Sequence, residues 1–185
     1  MACNLTKGFS ISCRDGIGGV RMIYIGQFSE ITLTTSAGEV TDIEMGTNSL
    51  HRYQPKRGVA SISESVNASS ENGTVFYTHT CNFKFNKLTS EYQNELKLLA
   101  QQRVLIFAEL NELTAGGKNI IMCLGATNGL EMSAGTNASG TALGDMNGYD
   151  WTFEGIDSNP MLEVADYTSI PFDNSAFTMG AHVTS

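Results

Sequence analysis

Proline is nearly missing from this chain, with three residues in 185 (Pro55, Pro160 and Pro171). That excludes a polyproline arm, a collagen-like repeat or a stiff proline-rich linker. Four cysteines stand far apart, at positions 3, 13, 81 and 123. None has the C-x-x-C spacing of a zinc knuckle or a redox pair, so buried reduced thiols are expected. No window approaches the roughly 20 apolar residues of a membrane helix. The opening MACNLTKGFSISC lacks the apolar core of a signal peptide, so a cytosolic setting is expected.

Positive charge is the sharpest deficiency. Residues 1–103 hold ten Lys or Arg and nine Asp or Glu; residues 104–185 hold one basic residue, Lys118, and ten acidic ones. The net charge of −8 argues against a protein that grips nucleic acid by its phosphates.

Catalytic patterns are missing too. The three histidines, His51, His79 and His182, are far apart. His79 falls on the apolar side of a strand pattern, where a core or interface histidine is the expectation. No serine stands in a G-x-S-x-G setting and no cysteine in a nucleophile motif. Asp145–Asp150 has a faint calcium-loop look, but Tyr149 stands where a ligand belongs. No enzyme activity, cofactor or metal is expected.

What the chain does have is glycine (19 residues) amid abundant Ser, Thr and Asn, the mixture of a β-protein with many turns. CRDGIGGVRMIYI (13–25) places three glycines beside an arginine. A Rossmann loop would open a helix and a Walker loop would carry Gly-Lys-Ser/Thr. Here a β-branched strand follows, so Gly16, Gly18 and Gly19 are expected to serve a hairpin or bulge at positive φ. A short strand is expected before them, at 8–13.

Further strands are expected at 20–28, 31–35, 39–45, 59–66, 74–87, 104–110, 119–125 and 149–155, with a loop at 46–57. In 74–87, Val75, Tyr77, His79, Cys81, Phe83 and Phe85 share the apolar face; Phe76, Thr78, Thr80, Asn82 and Lys84 share the other. In 149–155, Tyr149, Trp151 and Phe153 oppose Asp150, Thr152 and Glu154. Asn147-Gly148 reads as the turn into that strand. One helix is expected at about 89–102, capped by Ser90 with Gln93 at capping-box spacing. Residues 67–73 and 138–148 read as loops, and the last 30 residues as an extended arm with at most one strand. The fold class expected is mainly β: an antiparallel β-sandwich or barrel with one flanking helix, in a single domain (1–185) with terminal arms. Such a sheet protein must close, cover or pair its open edges.

A resemblance rests on the turn motifs: Cys3-x-Leu5-x-Lys7-Gly8, Cys13-x-Asp15-Gly16-x-Gly18-Gly19, and Gly140-x-Ala142-x-Gly144-Asp145-x-Asn147-Gly148-Tyr149. With the order of strands, helix and hairpins, the chain resembles the tail tube (major tail) proteins of tailed bacteriophages, those of Bacteroides-like hosts in particular. That family is similar in fold to contractile-tail and type VI secretion tubes. The resemblance implies hexameric rings stacked into a tube, a continuous barrel around a lumen, and passage of DNA during ejection. It implies tape-measure, tail terminator and baseplate proteins as partners, no membrane, assembly in the bacterial host cytoplasm and residence in the virion tail. Asp150, Thr152 and Glu154 are then the candidates to face the lumen. A second reading is a β-sandwich adhesion module that binds glycans, with Trp151, Tyr149 and Tyr53 stacking on sugars.

Overall fold

The computed structural model describes residues 8, 16–175, 177 and 182–184. The expected strand at 8–13 and the thiols of Cys3 and Cys13 lie outside the described residues. In chain order come β1 (Val20–Gln27), β2 (Thr32–Ser36), β3 (Glu39–Glu44), β4 (Ser49–Tyr53), β5 (Ser61–Ser69), β6 (Thr74–Asn86), α1 (Ser90–Leu99), β7 (Val104–Leu113), β8 (Asn119–Leu124), β9 (Glu131–Ala138), β10 (Gly148–Asp157), β11 (Leu162–Val164) and β12 (His182–Thr184). They build two sheets, one ordered β12-β4-β1-β7-β8-β11-β3-β2 and one ordered β5-β6-β10-β9. All pairings are antiparallel except two short ones, β11 with β3 and β12 with β4. The protein is thus mainly β, a two-sheet sandwich with a single flanking helix among the described residues.

The central strands explain the most apolar run of the sequence. VLIFAEL in β7 buries both faces. Ile106 and Ala108 enter the core between the sheets, while Leu105 and Phe107 enter a second core on the far side. β1 divides in the same way, with Ile23 and Ile25 on one side and Tyr24 on the other. A strand covered on both faces needs no polar alternation, which is why these segments read as continuous hydrophobic stretches. β3 and β4 stand near opposite ends of the large sheet, yet Val40, Ile43 and Leu50 share the second core. The large sheet therefore curls over itself.

The first core is aromatic. Phe83, Tyr149, Trp151 and Phe153 are each at most 1% exposed. Phe83 stacks on Phe153 at 5.7 Å, and Trp151 meets Phe85 edge-on at 5.2 Å. Full burial of each such ring stabilises by roughly 1.5–3 kcal/mol. α1 closes one end of this core with Leu99 and Leu96. Its cap is Thr89, one residue before the serine the sequence suggests: Thr89 Oγ1 accepts from the Tyr92 amide at 3.3 Å. Both residues are good caps, so the choice falls to the tertiary contact. Tyr149 Oη donates to the Thr89 carbonyl at 3.1 Å and fixes the chain there.

Five local expectations differ from the structure. No strand is expected between 125 and 149, yet β9 occupies Glu131–Ala138; its mostly exposed, small and polar residues give no apolar alternation. The 46–57 loop contains β4, whose single fully buried residue, Leu50, gives too little alternation to announce a strand. β5 runs on through Asn67 to Ser69, because the Asn67 amide donates to Thr78 Oγ1 across the pair at 3.0 Å. The stretch after β10 is packed, not extended: β11 fills a place in the large sheet, and Phe172 and Phe177 enter the second core. The glycine roles also separate. Gly19 has φ +99, as expected of a turn or bulge, but Gly16 and Gly18 do not take positive φ. They run beside the end of β7, where the Asn111 side-chain amide donates to the Gly18 carbonyl at 3.1 Å. Asn147 and Gly148 likewise lack positive φ. Gly148 already belongs to β10, and a Cβ there would stand 1.9 Å from the Phe85 carbonyl oxygen. It is glycine for close approach, not for turn geometry.

Candidate functional site

The four-stranded sheet turns its apolar face to the first core and a polar face outward. Registers align Ser61, Ser63 and Ser65 of β5 with Asn82, Thr80 and Thr78 of β6. Across β6, Asp150, Thr152 and Glu154 of β10 stand opposite Lys84, Asn82 and Thr80. On the last strand, Thr136, Ala134 and Glu131 stand opposite Asp150, Thr152 and Glu154. The three residues singled out from the sequence, Asp150, Thr152 and Glu154, thus share one face of one strand, amid hydroxyl and amide groups.

Two ion pairs lie on or beside this face. Lys84 Nζ lies 2.5 Å from Asp150 Oδ2. The Asn82 side-chain amide donates to Asp150 Oδ1 at 3.0 Å and to Thr152 Oγ1 at 2.8 Å. Burial pushes the Asp150 carboxyl up, but the bonds from Lys84 and Asn82 outweigh it and hold it below the usual carboxylate range. Arg103 Nε meets Glu131 Oε1 at 2.8 Å. The alternation displayed Lys84 and Asp150 on polar faces; only the β6–β10 register makes them partners.

The sheet ends in two long edges. β5 has nine residues and β9 eight, and neither carries proline or lysine. Both are mostly exposed. Such edges invite pairing, and proteins that avoid it shorten, charge or bulge them. The outer strands of the large sheet are shorter: β2 has five residues with a register shift, and β12 has three.

The two poles of the small sheet expose apolar side chains. The β5–β6 hairpin runs past the last β10 pairing, Asp157 with Tyr77, and shows Val66 (62% exposed), Val75 and Phe76. At the opposite pole the loop between β9 and β10 holds Leu143 fully in solvent. Asp145 shapes that loop: its Oδ2 accepts from the amides of Thr141 and Ala142 at 2.9 and 2.8 Å. These bonds hold its carboxyl below the ordinary range. The residues that suggested a calcium loop therefore close a turn.

The proposed sugar-stacking residues are placed differently. Tyr149 and Trp151 are buried at 0% and 1% exposure, so neither offers a ring face to a ligand. Tyr53 is half-buried and donates through Oη to Glu95 Oε1 at 3.2 Å. It lines a cleft of about 530 Å³ between β4 and α1 with Arg52, Phe85, Tyr92 and Trp151. The described cysteines are buried thiols; burial pushes Cys81 up to about 12, and burial with the nearby Asp157 carboxylate raises Cys123 as well. No cluster of three metal-ligating side chains occurs among the described residues, and no helix among them is long and apolar enough to cross a membrane.

No family model matches the chain, and no curated protein or solved structure matches it. Function must be argued from the two edges and the face between them.

Proposed function

We propose that this chain is a structural subunit of a phage tail tube, assembled in the bacterial host cytoplasm and resident in the virion tail, with no catalytic role. The observation that carries the reading is the pair of long, mostly exposed edges, free of proline and lysine, on the sheet whose outer face is polar. Strand direction supports it. β5, β6, β10 and β9 alternate, so β5 and β9 run opposite to each other. Joining β9 of one copy to β5 of the next therefore continues an all-antiparallel sheet at every junction. A cyclic ring closes such a sheet into a barrel without free edges. Six copies would give roughly 24 strands and a backbone diameter of roughly 45 Å at ordinary strand spacing and tilt. That bore admits a double helix.

The polar face then lines the lumen, and its chemistry suits a conduit. Hydroxyls and amides offer short, replaceable hydrogen bonds. The β6 cation on the face, Lys84, is neutralised by Asp150. A free lysine would hold phosphate and add salt-sensitive friction. The apolar tips at opposite poles suit head-to-tail stacking of rings, a heterologous contact that propagates without closing. Tape-measure, terminator and baseplate proteins would be the partners of the finished tube.

Negative-stain imaging of the purified chain, beside light scattering, tests the reading directly. Rings or tubes with a central bore are expected; a persistent monomer at all concentrations overturns it. The conduit face has its own test. Asp150→Asn should leave rings intact while unmasking Lys84, and ejection of DNA from virions carrying it should slow about tenfold, more at low salt than at high. Native ejection kinetics at every salt concentration would remove the lumen assignment.

A further inference from the structure

His79 is a buried imidazole away from the polar face, at 1% exposure on β6. Its surroundings come from both sheets. Nδ1 accepts a hydrogen bond from the Gly125 amide at 3.1 Å, immediately after β8 of the large sheet. Nε2 lies 3.2 Å from Glu64 Oε2 on β5, within ion-pair distance but without the alignment of a hydrogen bond. The same Glu64 oxygen accepts from the Met161 amide at 2.5 Å, at the entry to β11. Asp157, at the end of β10, is the other carboxylate acting on this ring. It is itself 1% exposed and accepts from the Thr127 amide at 2.9 Å and the Asn159 amide at 3.1 Å. Burial raises the Asp157 carboxyl, but those amides, the Thr127 side chain and His79 hold it lower than usual. Cys123 of β8 completes the titratable neighbours; its buried thiol stays protonated.

The tautomer follows from these contacts. A backbone N–H can only donate, so Nδ1 must present its lone pair and the ring proton must sit on Nε2, toward Glu64. A second proton has one place to go, Nδ1. There it turns the acceptor into a donor aimed at another donor, and the bond to Gly125 is lost.

We propose that His79 is a proton-operated latch between the two sheets, closed when neutral and released on acidification. What it releases is specific. Gly125 opens the 125–129 turn, where the Gly129 amide donates to the Gly125 carbonyl at 2.8 Å. That turn leads into Leu130 and β9. Glu64 belongs to β5. One imidazole therefore joins the end of β8 to β6, beside its cross-strand partner Glu64 on β5. Protonation breaks the tie to the 125–129 turn, while Leu130 stays bridged to Val104. This inference concerns the single chain and stands whether or not the chain forms a tube.

Amide exchange followed by NMR tests it on the intact chain. Between about pH 8 and pH 5 the protection factor of the Gly125 amide, corrected for intrinsic exchange, should fall at least about tenfold relative to β7 amides. In His79→Gln, whose side-chain oxygen accepts at either pH, it should stay level. Constant protection in the native chain, or an equal fall in His79→Gln, overturns the proposal. Should His79→Gln not fold, the imidazole ¹⁵N shifts of the native chain decide. A ring protonated on Nε2 alone at pH 8 and on both nitrogens at pH 5 supports the latch. A ring protonated on Nδ1 at pH 8, or unchanged at pH 5, refutes it.

Discussion

A chain carrying Ser65→Lys and Ala134→Lys should fold as the native chain does and stay monomeric under conditions where the proposed tube subunit is expected to polymerise. Both positions are exposed in the described chain, Ser65 on β5 and Ala134 on β9. Both point to the polar face, so neither lysine disturbs a core. Within one copy two interior strands, β6 and β10, separate them. In the proposed ring, β5 of one copy lies against β9 of its neighbour, so both edges of every junction carry an added lysine. Like charges at such a junction oppose pairing, and edge lysine is how natural sheets refuse extension. Sedimentation should show at least about a hundredfold rise in the concentration needed for assembly, partly reversed by salt because the repulsion is screened. The melting temperature of the monomer should hold within about 2 °C. Assembly of the double variant at native concentrations would mean that the edges are not the contact. Ser65→Asp with Ala134→Lys then serves as the complementary pair: assembly should return, since the two joining edges carry opposite charges.

Trp151→Ala is expected to cost about 3–5 kcal/mol, the largest single loss in the fold. Trp151 is the chain's one tryptophan and is 1% exposed. Its ring meets Tyr53, Phe83, Phe85 and Tyr149 at centroid distances of 5.2–6.4 Å. Truncation opens a cavity among rings that cannot collapse into it, because β6 and β9 hold the strand on both sides. Thermal unfolding should drop by roughly 10 °C for a domain of this length. Trp151→Phe should behave differently. The indole N–H is buried without an acceptor, a desolvation cost already carried by the native fold. Phenylalanine keeps most of the packing and removes that cost, so its penalty should be about 1–2 kcal/mol. Equal losses in the two variants would show that the indole nitrogen is paired after all.

Much of this architecture was legible before any coordinates. The alternation in 149–155 separates the core triad Tyr149, Trp151 and Phe153 from Asp150, Thr152 and Glu154, and the structure keeps that division residue for residue. β6 does the same for Cys81 and Phe83 against Thr80 and Asn82. Period-two patterning is a local property, since neighbouring side chains must leave a strand on opposite sides. The hairpin at 31–45 was legible for a similar reason. Its two-residue turn, Ala37 at φ 55 and Gly38 at φ 92, is the twist-matched connection between adjacent strands. Continuous apolar runs marked β7 and β8 as interior, though not that β7 divides two cores.

The sequence by itself determined most of the secondary elements, though not β4, β9 or β11, together with the inner and outer faces of the strands it announced and the acidity of the second half. Tertiary structure alone decided which strands became neighbours. It made Lys84 and Asp150 partners, buried Trp151 and Tyr149 away from any ligand, drew the last segment into the large sheet, and brought His79 between Glu64 and Gly125. The reason is range. Side-chain alternation and turn geometry act over a few residues, whereas strand order and register are set by burying every apolar face at once. The separations of 66 residues for the ion pair and 46 for the histidine bond lie beyond any local rule.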